Sequence, residues 1–111
     1  MKTEKIWMDG KIIDWDKCKF HALSYSLHYG VSAFEGMRFY DTEKGVAIFR
    51  LKDHIARLLN SANQFGMKSR YGAKELEEAT KKIVKASKLK SGYIRPIMLY
   101  GSTKLSVHAE D

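Results

Sequence analysis

The spacing of hydrophobic and polar positions changes twice along this chain, and each spacing predicts a different kind of element. Residues 6–13 hold two short apolar runs on either side of Asp9-Gly10, which is a strong signal for a tight turn between strands. Residues 34–40 and 46–49 are apolar or alternating, and the polar stretch between them ends in glycine. Both patterns predict antiparallel hairpins.

From residue 51 the apolar positions recur at helical intervals, and Gly66 follows as the expected C-terminal cap. The stripe of this predicted first long helix consists of Leu51, Ile55, Leu58, Leu59, Ala62 and Phe65. A second helix is predicted from about residue 73 to residue 87. Its apolar side carries Leu76, Ala79, Ile83 and Val84.

Three further stretches complete the prediction. Residues 93–100 form a compact apolar run that predicts a strand, and Pro96 inside it indicates a sheet edge or a bulge. Residues 17–23 favour another short strand, and residues 24–29 a short helix or turn. Strands, two helices and a final strand indicate an α+β fold, with a mainly antiparallel sheet packed with two main helices.

The length and composition suit one globular domain. The chain has 111 residues, of which 44% are hydrophobic and 30% charged, and it contains one cysteine. We expect residues 1–104 to form this domain and residues 105–111 to begin a linker. No apolar stretch is long enough to span a membrane, and no apolar signal core follows the first lysines, so a cytoplasmic location is expected.

The net charge of +7 raises the question of a nucleic-acid partner. Much of the excess lies within residues 67–90, where the glutamates come early in the second predicted helix and the lysines late. This order suits the helix dipole and places Glu77 and Glu78 four residues before Lys81 and Lys82. A solvated helix face therefore explains the charge better than a nucleic-acid surface, which stays the weakest alternative.

Three local clusters could carry chemistry. The first is His28-Tyr29-Gly30 with residues 34–38, where glycines allow close backbone approach, although two turns with core aromatics would give the same pattern. The second is residues 54–58, in which Arg57 could bind an anion such as phosphate or could simply cover the apolar stripe. The third is residues 93–96.

In that third cluster, strand alternation places Tyr93 and Arg95 on one face. A guanidinium fork and a phenol on one face suit a carboxylate ligand, but a solvated strand face would look the same. Metal binding is not expected, because the histidines and Cys18 lack ligand spacing. Phosphate-loop and dinucleotide glycine motifs are also missing from the sequence.

Taken together, the clusters resemble the fold-type-IV aminotransferases, and among them the branched-chain amino acid aminotransferases, which use pyridoxal 5'-phosphate. The resemblance runs from Ile6 to about Val107. The segments that carry it are Ile-Trp-Met-Asp-Gly at 6–10, Ser-Leu-His-Tyr-Gly at 26–30, Val-Ser-Ala-Phe-Glu-Gly-Met-Arg at 31–38, Ile-Phe-Arg-Leu-Lys-Asp-His-Ile-Ala-Arg-Leu at 48–58 and Gly-Tyr-Ile-Arg-Pro at 92–96.

The resemblance implies a role for each matching residue. Arg57 would bind the cofactor phosphate. Substrate contacts would come from Tyr29, Phe34, Gly36, Arg38, Tyr93, Arg95 and Val107. Among these, Arg95 would meet the distal carboxylate of glutamate, and Tyr29 and Val107 would reach the pocket across a dimer interface. The implied reaction transfers the amino group between leucine, isoleucine or valine and 2-oxoglutarate, in a homodimer or larger homo-oligomer.

The family's Schiff-base lysine, and the tyrosine and glutamate that hold the pyridine ring, belong to a second domain that would follow residue 111. None of the lysines present has a matching context, so we expect no catalytic residue here and no activity from this chain alone. The sequence of residues 101–109 also differs from the glycine- and proline-rich loop of the family. D-amino acid aminotransferase, aminodeoxychorismate lyase and a non-catalytic interaction domain stay open as alternatives.

Overall fold

The structure is a computed structural model that describes residues 4–101. Within this range the strands are β1 (Lys5–Met8), β2 (Lys11–Asp14), β3 (Ser32–Phe34), β4 (Met37–Thr42), β5 (Gly45–Ile48), β6 (Gly92–Ile94) and β7 (Ile97–Leu99). The helices are α1 (Tyr25–Tyr29), α2 (Leu51–Gln64) and α3 (Ala73–Ser87), with one 3₁₀ turn at Trp15–Lys17. All strand pairs of the described residues are antiparallel, which confirms the α+β prediction.

The first predicted hairpin is present as β1 and β2. Its two turn residues, Asp9 and Gly10, have φ angles of 49° and 88°, as a two-residue hairpin turn requires. The hairpin packs against the segment before α3, where the Trp7 and Tyr71 rings meet edge to face with centroids 5.3 Å apart. Arg70 also pairs with Asp9 at 3.1 Å. The first hairpin therefore contacts the segment leading into α3 through both its turn and its strand β1.

The second predicted hairpin is confirmed as β4 and β5, with the turn closing between Thr42 and Gly45. Its first strand begins at Met37 and not at the predicted residue 34, because Phe34 belongs to β3 and pairs with Ile97 of β7. Gly45 has a φ of 106°, which L side chains rarely adopt. On its other edge β4 pairs with β6, where Arg38 lies opposite Tyr93. The result is a three-stranded sheet in the order β5-β4-β6, beside a two-stranded sheet of β3 and β7.

The single strand predicted at residues 93–100 is two strands in different sheets. Pro96 has no N–H to donate, and the ladder breaks at this residue. The Pro96 carbonyl instead accepts a hydrogen bond from the Glu35 N–H at 3.1 Å. The break sends β6 to pair with β4 and β7 to pair with β3.

The strand predicted at residues 17–23 is wrong. A 3₁₀ turn is followed there by residues without strand structure. His21 accepts local hydrogen bonds instead, from the Ser24 N–H to its carbonyl at 3.0 Å and from the Leu23 N–H to its ring Nδ1 at 3.0 Å. These turn contacts lead directly into α1, so the short helix or turn predicted at 24–29 is confirmed.

The helix α2 ends where the glycine signal predicts. Gly66 has a φ of 76°, and its N–H bonds to the Asn63 carbonyl at 3.0 Å. The Met67 N–H bonds back to the Ala62 carbonyl at 3.0 Å, which completes a Schellman motif. Phe65 departs from the prediction, because it lies at the helix end and is 61% exposed instead of continuing the buried stripe.

The predicted second helix is confirmed as α3, with the bounds expected from the pattern. The Glu75 carboxylate accepts a hydrogen bond from the Gly72 N–H at 3.2 Å, so it satisfies one free donor at the helix start. On the charged face Lys81 pairs with Glu78, three residues earlier, at 3.3 Å. Lys81 is exposed, and its ion pair is with Glu78 and not with Glu77, the residue four positions earlier that the sequence favoured.

Two clusters of buried residues within the described range both involve α2. One contains Ala33, Leu58, Ala62 and Met67, with Val31, Met98 and Tyr100 packed against it. The other contains Met37, Leu51 and Ile55, bordered by Ile48, Leu59, Leu76 and Ile94. Because both sheets pack on the same helix, α2 fixes the position of β3 relative to β4. This matters for the site, which forms where these two strands meet.

Gly92→Ala is expected to destabilise the chain by about 1–3 kcal/mol through overpacking. An alanine Cβ at this position would lie 2.9 Å from Cζ of Phe39, a buried ring with little freedom to move. Urea unfolding followed by circular dichroism measures the change. Gly101→Ala is the matched control, because its Cβ would meet Phe20 at an ordinary 3.8 Å. Equal unfolding midpoints for the two variants would contradict the packing argument.

Candidate functional site

Residues 33–37 run from β3 into β4 with alternating exposure. Ala33, Glu35 and Met37 are buried, whereas the Phe34 ring is 54% exposed. Successive side chains of an extended segment point to opposite sides, so Glu35 is directed inward and Phe34 outward. One short segment therefore supplies an apolar outer surface and a buried carboxylate.

The Glu35 carboxylate lies against α2 and is only 7% exposed. Arg57 donates to it twice, from Nε to Oε2 and from Nη2 to Oε1, each at 2.7 Å. The Nδ1 atom of His54 lies 2.8 Å from Oε1. His54 and Arg57 are three residues apart on α2 and so share one side of the helix. A buried charge needs such compensation, and here it comes from a bidentate arginine and a histidine.

These contacts set the charge state of the carboxyl group. Hydrogen bonds from Arg57 lower the pKa of Glu35, burial acts in the opposite direction, and His54 lowers it further. The same hydrogen bonds raise the pKa of the Arg57 guanidinium. Glu35 and Arg57 therefore form an ion pair at neutral pH.

A pH dependence of stability follows from the lowered pKa of Glu35. Its contribution is complete above the unfolded value of 4.5 and is lost as the pH falls through the lower folded value. Glu35→Gln should cost about 1–3 kcal/mol at neutral pH. The difference from wild type should shrink in acid. Urea unfolding from neutral pH to about pH 3 tests this, with the exposed Glu78→Gln as control, and a difference independent of pH would contradict it.

Arg57 is itself 66% exposed, even though it binds a buried group. Glu35 occupies the guanidinium edge formed by Nε and Nη2, whereas Nη1 and the second N–H of Nη2 lie on the other edge. That second edge can donate two parallel hydrogen bonds to another anion. Its shape and charge match a phosphate or a carboxylate. The donor set thus fits the phosphate group that the sequence resemblance implies.

The second part of the site lies on the outer side of the same segment. Arg95 donates from Nη2 to the Tyr93 hydroxyl at 2.9 Å, which confirms that the two side chains share a face. The guanidinium carbon of Arg95 also lies 4.7 Å from the centroid of the Phe34 ring. Arg38 approaches Tyr93, and its guanidinium carbon lies 5.9 Å from the centroid of that ring. Four of the predicted substrate residues thus form one cluster.

Gly36 is the fifth member of this cluster, for a steric reason. A Cβ on Gly36 would lie 2.1 Å from the Tyr93 hydroxyl oxygen and 2.9 Å from its Cζ. Real Cβ atoms do not approach so closely, so any larger residue would displace the tyrosine. The sequence suggested that glycine lets the backbone approach a ligand, and in the structure the close neighbour is the phenol of Tyr93.

Tyr29, another predicted substrate residue, belongs to a different group of aromatic rings. Tyr29 packs on Tyr25 with ring centroids 4.5 Å apart, and Tyr25 in turn meets Tyr100 at 5.3 Å. This aromatic group is separate from the cluster around Tyr93. Val107 lies outside the described residues. Their expected contact with a pocket across a subunit interface stays a prediction.

Sequence reasoning did not assign a role to Glu35 or to His54. A usable signal was nevertheless present, because Glu35 is a charged residue at a buried position of an alternating segment. Buried carboxylates are almost always paired, so this pattern predicts a cationic partner for Glu35. His54 and Arg57 are spaced to supply it from one helix face, but only the packing of α2 against β3 shows which helix face meets Glu35.

Across residues 4–101, no three histidine, cysteine or acidic side chains are grouped so that they could hold a metal ion. In the same range, no helix is long and apolar enough to cross a membrane.

An α+β domain in which a partly exposed arginine lies beside a cluster of arginine and aromatic side chains matches a known class of proteins. A model of the family described as amino-transferase class IV matches residues 32–111, and the chain belongs to this family. Among curated relatives, the branched-chain-amino-acid aminotransferase of Pseudomonas aeruginosa is 44% identical over 104 residues, covering 94% of this chain and 34% of the relative. The Escherichia coli K12 enzyme is 37% identical over 107 residues, covering 96% and 35%.

Solved structures agree with these relatives. The Escherichia coli branched-chain amino acid aminotransferase superposes with a TM-score of 0.93 at 37% identity, covering 98% of this chain and 36% of that one. The T.th. branched-chain amino acid aminotransferase complexed with N-(5'-phosphopyridoxyl)-L-glutamate gives 0.92 at 45% identity, covering 96% and 36%. The chain therefore spans about a third of the length of the proteins it matches.

Proposed function

We propose that the full-length protein is a pyridoxal-phosphate-dependent aminotransferase that moves the amino group between branched-chain amino acids and 2-oxoglutarate. The observation that carries this proposal is that two arginines from different parts of the chain contact neighbouring residues, Phe34 and Glu35. Arg95 lies over the Phe34 ring and bonds to Tyr93, while Arg57 is anchored by the neighbouring Glu35. One arginine would serve the substrate and the other the cofactor.

The cluster formed by Phe34, Arg38, Tyr93 and Arg95 suits a pocket that must accept two unlike substrates in turn. The Phe34 ring offers an apolar wall for the side chain of leucine, isoleucine or valine. The Arg95 fork offers a bidentate partner for the distal carboxylate of glutamate or 2-oxoglutarate. The Tyr93 hydroxyl, bonded to Arg95, adds a hydrogen-bonding group near the substrate carboxylate.

The Arg57 guanidinium, held by Glu35, suits the cofactor phosphate. The free edge of Arg57 would donate two hydrogen bonds to phosphate oxygens, and its charge would balance part of theirs. When bound, pyridoxal phosphate supplies the electron sink for amino transfer, and the protein orients it. In support, two structures of the T.th. enzyme contain a phosphopyridoxyl-glutamate adduct and pyridoxamine 5'-phosphate.

Other features of the full-length protein belong to the same proposal. Residues 1–104 would form the small substrate-facing domain, and a following domain would supply the lysine that binds the cofactor. A homodimer or larger homo-oligomer would bring Tyr29 and Val107 of one copy to the pocket of another. The location would be cytoplasmic.

A panel of amino donors on the full-length protein tests the activity. Leucine, isoleucine and valine should all react with 2-oxoglutarate, and D-alanine should not. Preference for D-amino acids, or pyruvate release from aminodeoxychorismate, would replace the proposal with another member of the family. No reaction with any donor, despite bound cofactor, would favour a non-catalytic interaction domain.

Residues 1–111 alone are expected to show no amino transfer. We expect that incubation with pyridoxal phosphate, borohydride reduction and peptide mass mapping will find no stoichiometric pyridoxyl-lysine at a single position. The full-length protein, treated in parallel, should carry one. A single fully labelled lysine together with turnover in the short chain would contradict this expectation.

A further inference from the structure

We propose that Glu35 is a positioning residue that clamps one edge of the Arg57 guanidinium, so that the opposite edge faces the cofactor phosphate in a fixed orientation. The proposal rests on the phosphate-binding role proposed for Arg57. It goes further by assigning a task to Glu35, and to His54 behind it, neither of which would touch the phosphate in this arrangement.

The geometry of the pair carries the inference. Glu35 accepts from Nε and Nη2, each at 2.7 Å, so the two bonds lie in the guanidinium plane and prevent it from turning. An arginine that is 66% exposed would otherwise sample many rotamers. Ordering it on binding would cost affinity, and a side chain already held in place avoids much of that cost.

His54 helps to hold the Glu35 carboxylate in place. Its Nδ1 lies 2.8 Å from Oε1, the same oxygen that accepts from Nη2 of Arg57. The backbone N–H of Glu35 is held separately by the Pro96 carbonyl at 3.1 Å. The carboxylate is therefore fixed from its backbone and its side chain, and it has little freedom to follow a displaced arginine.

The direction in which the affinity for pyridoxal phosphate changes when Glu35 is replaced tests the proposal, because simple electrostatics predicts the opposite direction. Glu35 brings a negative charge close to a site for a phosphate anion. If charge alone mattered, removing this carboxylate would strengthen phosphate binding. If orientation matters more, removing it should weaken binding, because Arg57 becomes free to turn away.

The experiment titrates the full-length apoprotein with pyridoxal phosphate and, separately, with pyridoxal, which lacks the phosphate. Glu35→Ala should raise the Kd for pyridoxal phosphate about 10-fold, as loss of an outer partner does at metal sites. It should leave the Kd for pyridoxal unchanged. In an Arg57→Ala background the same change at Glu35 should have no effect, because the side chain it positions is gone.

The Glu35→Gln variant provides a second test in case the alanine variant does not fold. Its amide oxygen can accept from Arg57, but its amide nitrogen cannot, so a smaller loss in the same direction is expected. Glu78→Ala is the matched control, since Glu78 is exposed and pairs with Lys81 on the solvated face of α3. Urea unfolding of each apoprotein, measured in parallel, verifies folding.

The outcomes separate the two proposals. If Arg57→Ala leaves the Kd for pyridoxal phosphate unchanged, the phosphate role of Arg57 fails and the positioning role fails with it. If Arg57→Ala weakens binding but the Glu35 variants bind as tightly as wild type or tighter, only the positioning role is overturned. Equal losses for pyridoxal and pyridoxal phosphate, or equal losses with and without Arg57, would show a general structural role instead.

Discussion

Replacing Arg95 with methionine in the full-length protein is expected to reduce kcat/KM for 2-oxoglutarate by about 10- to 150-fold. The loss corresponds to about 1.5–3 kcal/mol, the contribution of hydrogen bonds to a charged group. Methionine keeps an unbranched stem over the Phe34 ring, which Arg95 now approaches at 4.7 Å, but it cannot bind a carboxylate. The half-reaction with leucine should lose much less, because leucine carries no distal carboxylate.

Single-turnover measurements of the two half-reactions test this asymmetry directly. Arg70→Met is a suitable control, since Arg70 is an exposed arginine that pairs with Asp9 in the first hairpin. Equal losses for leucine and 2-oxoglutarate would mean that Arg95 supports the pocket through Tyr93 and not by binding the distal carboxylate.

Ile55→Ala is expected to lower the free energy of unfolding by about 2–5 kcal/mol, the usual range when a buried isoleucine becomes alanine. Ile55 is 1% exposed and packs with Met37 and Leu51 in one of the two core clusters. A domain of this size has only about 5–15 kcal/mol in total, so the variant would lose a large share of its stability.

The contacts of His54 and Arg57 with Glu35 should weaken together with the core in this variant. Ile55 lies next to His54 on α2, and the packing of this helix brings His54 and Arg57 to Glu35. Urea unfolding measures the stability change, and Lys52→Ala, on the exposed side of the same helix, is the control. A loss as small for Ile55→Ala as for Lys52→Ala would contradict the core assignment.

Local signals predicted most elements of the fold. The Asp9-Gly10 turn, the glycine at the end of α2 and the helical stripe from Leu51 act through near neighbours in the chain, so the sequence alone reveals them. The strand predicted at 17–23 was wrong because composition cannot tell whether a partner strand exists. Pro96 predicted an edge or a bulge in the strand. It did not predict that the apolar run is divided there between two sheets.

For the site, the sequence determined which kinds of side chain were available: an arginine on a helix, a tyrosine and an arginine two residues apart on a strand, and an aromatic residue two positions before a glycine. Strand alternation alone predicted that Tyr93 and Arg95 share a face, and their 2.9 Å hydrogen bond agrees. Only tertiary structure decided that Phe34 and Gly36 meet this pair, and that Arg57 bonds to Glu35, 22 positions away in the chain. Contacts at that distance depend on how β3, β4 and α2 pack around their shared core, which no local pattern of residues specifies.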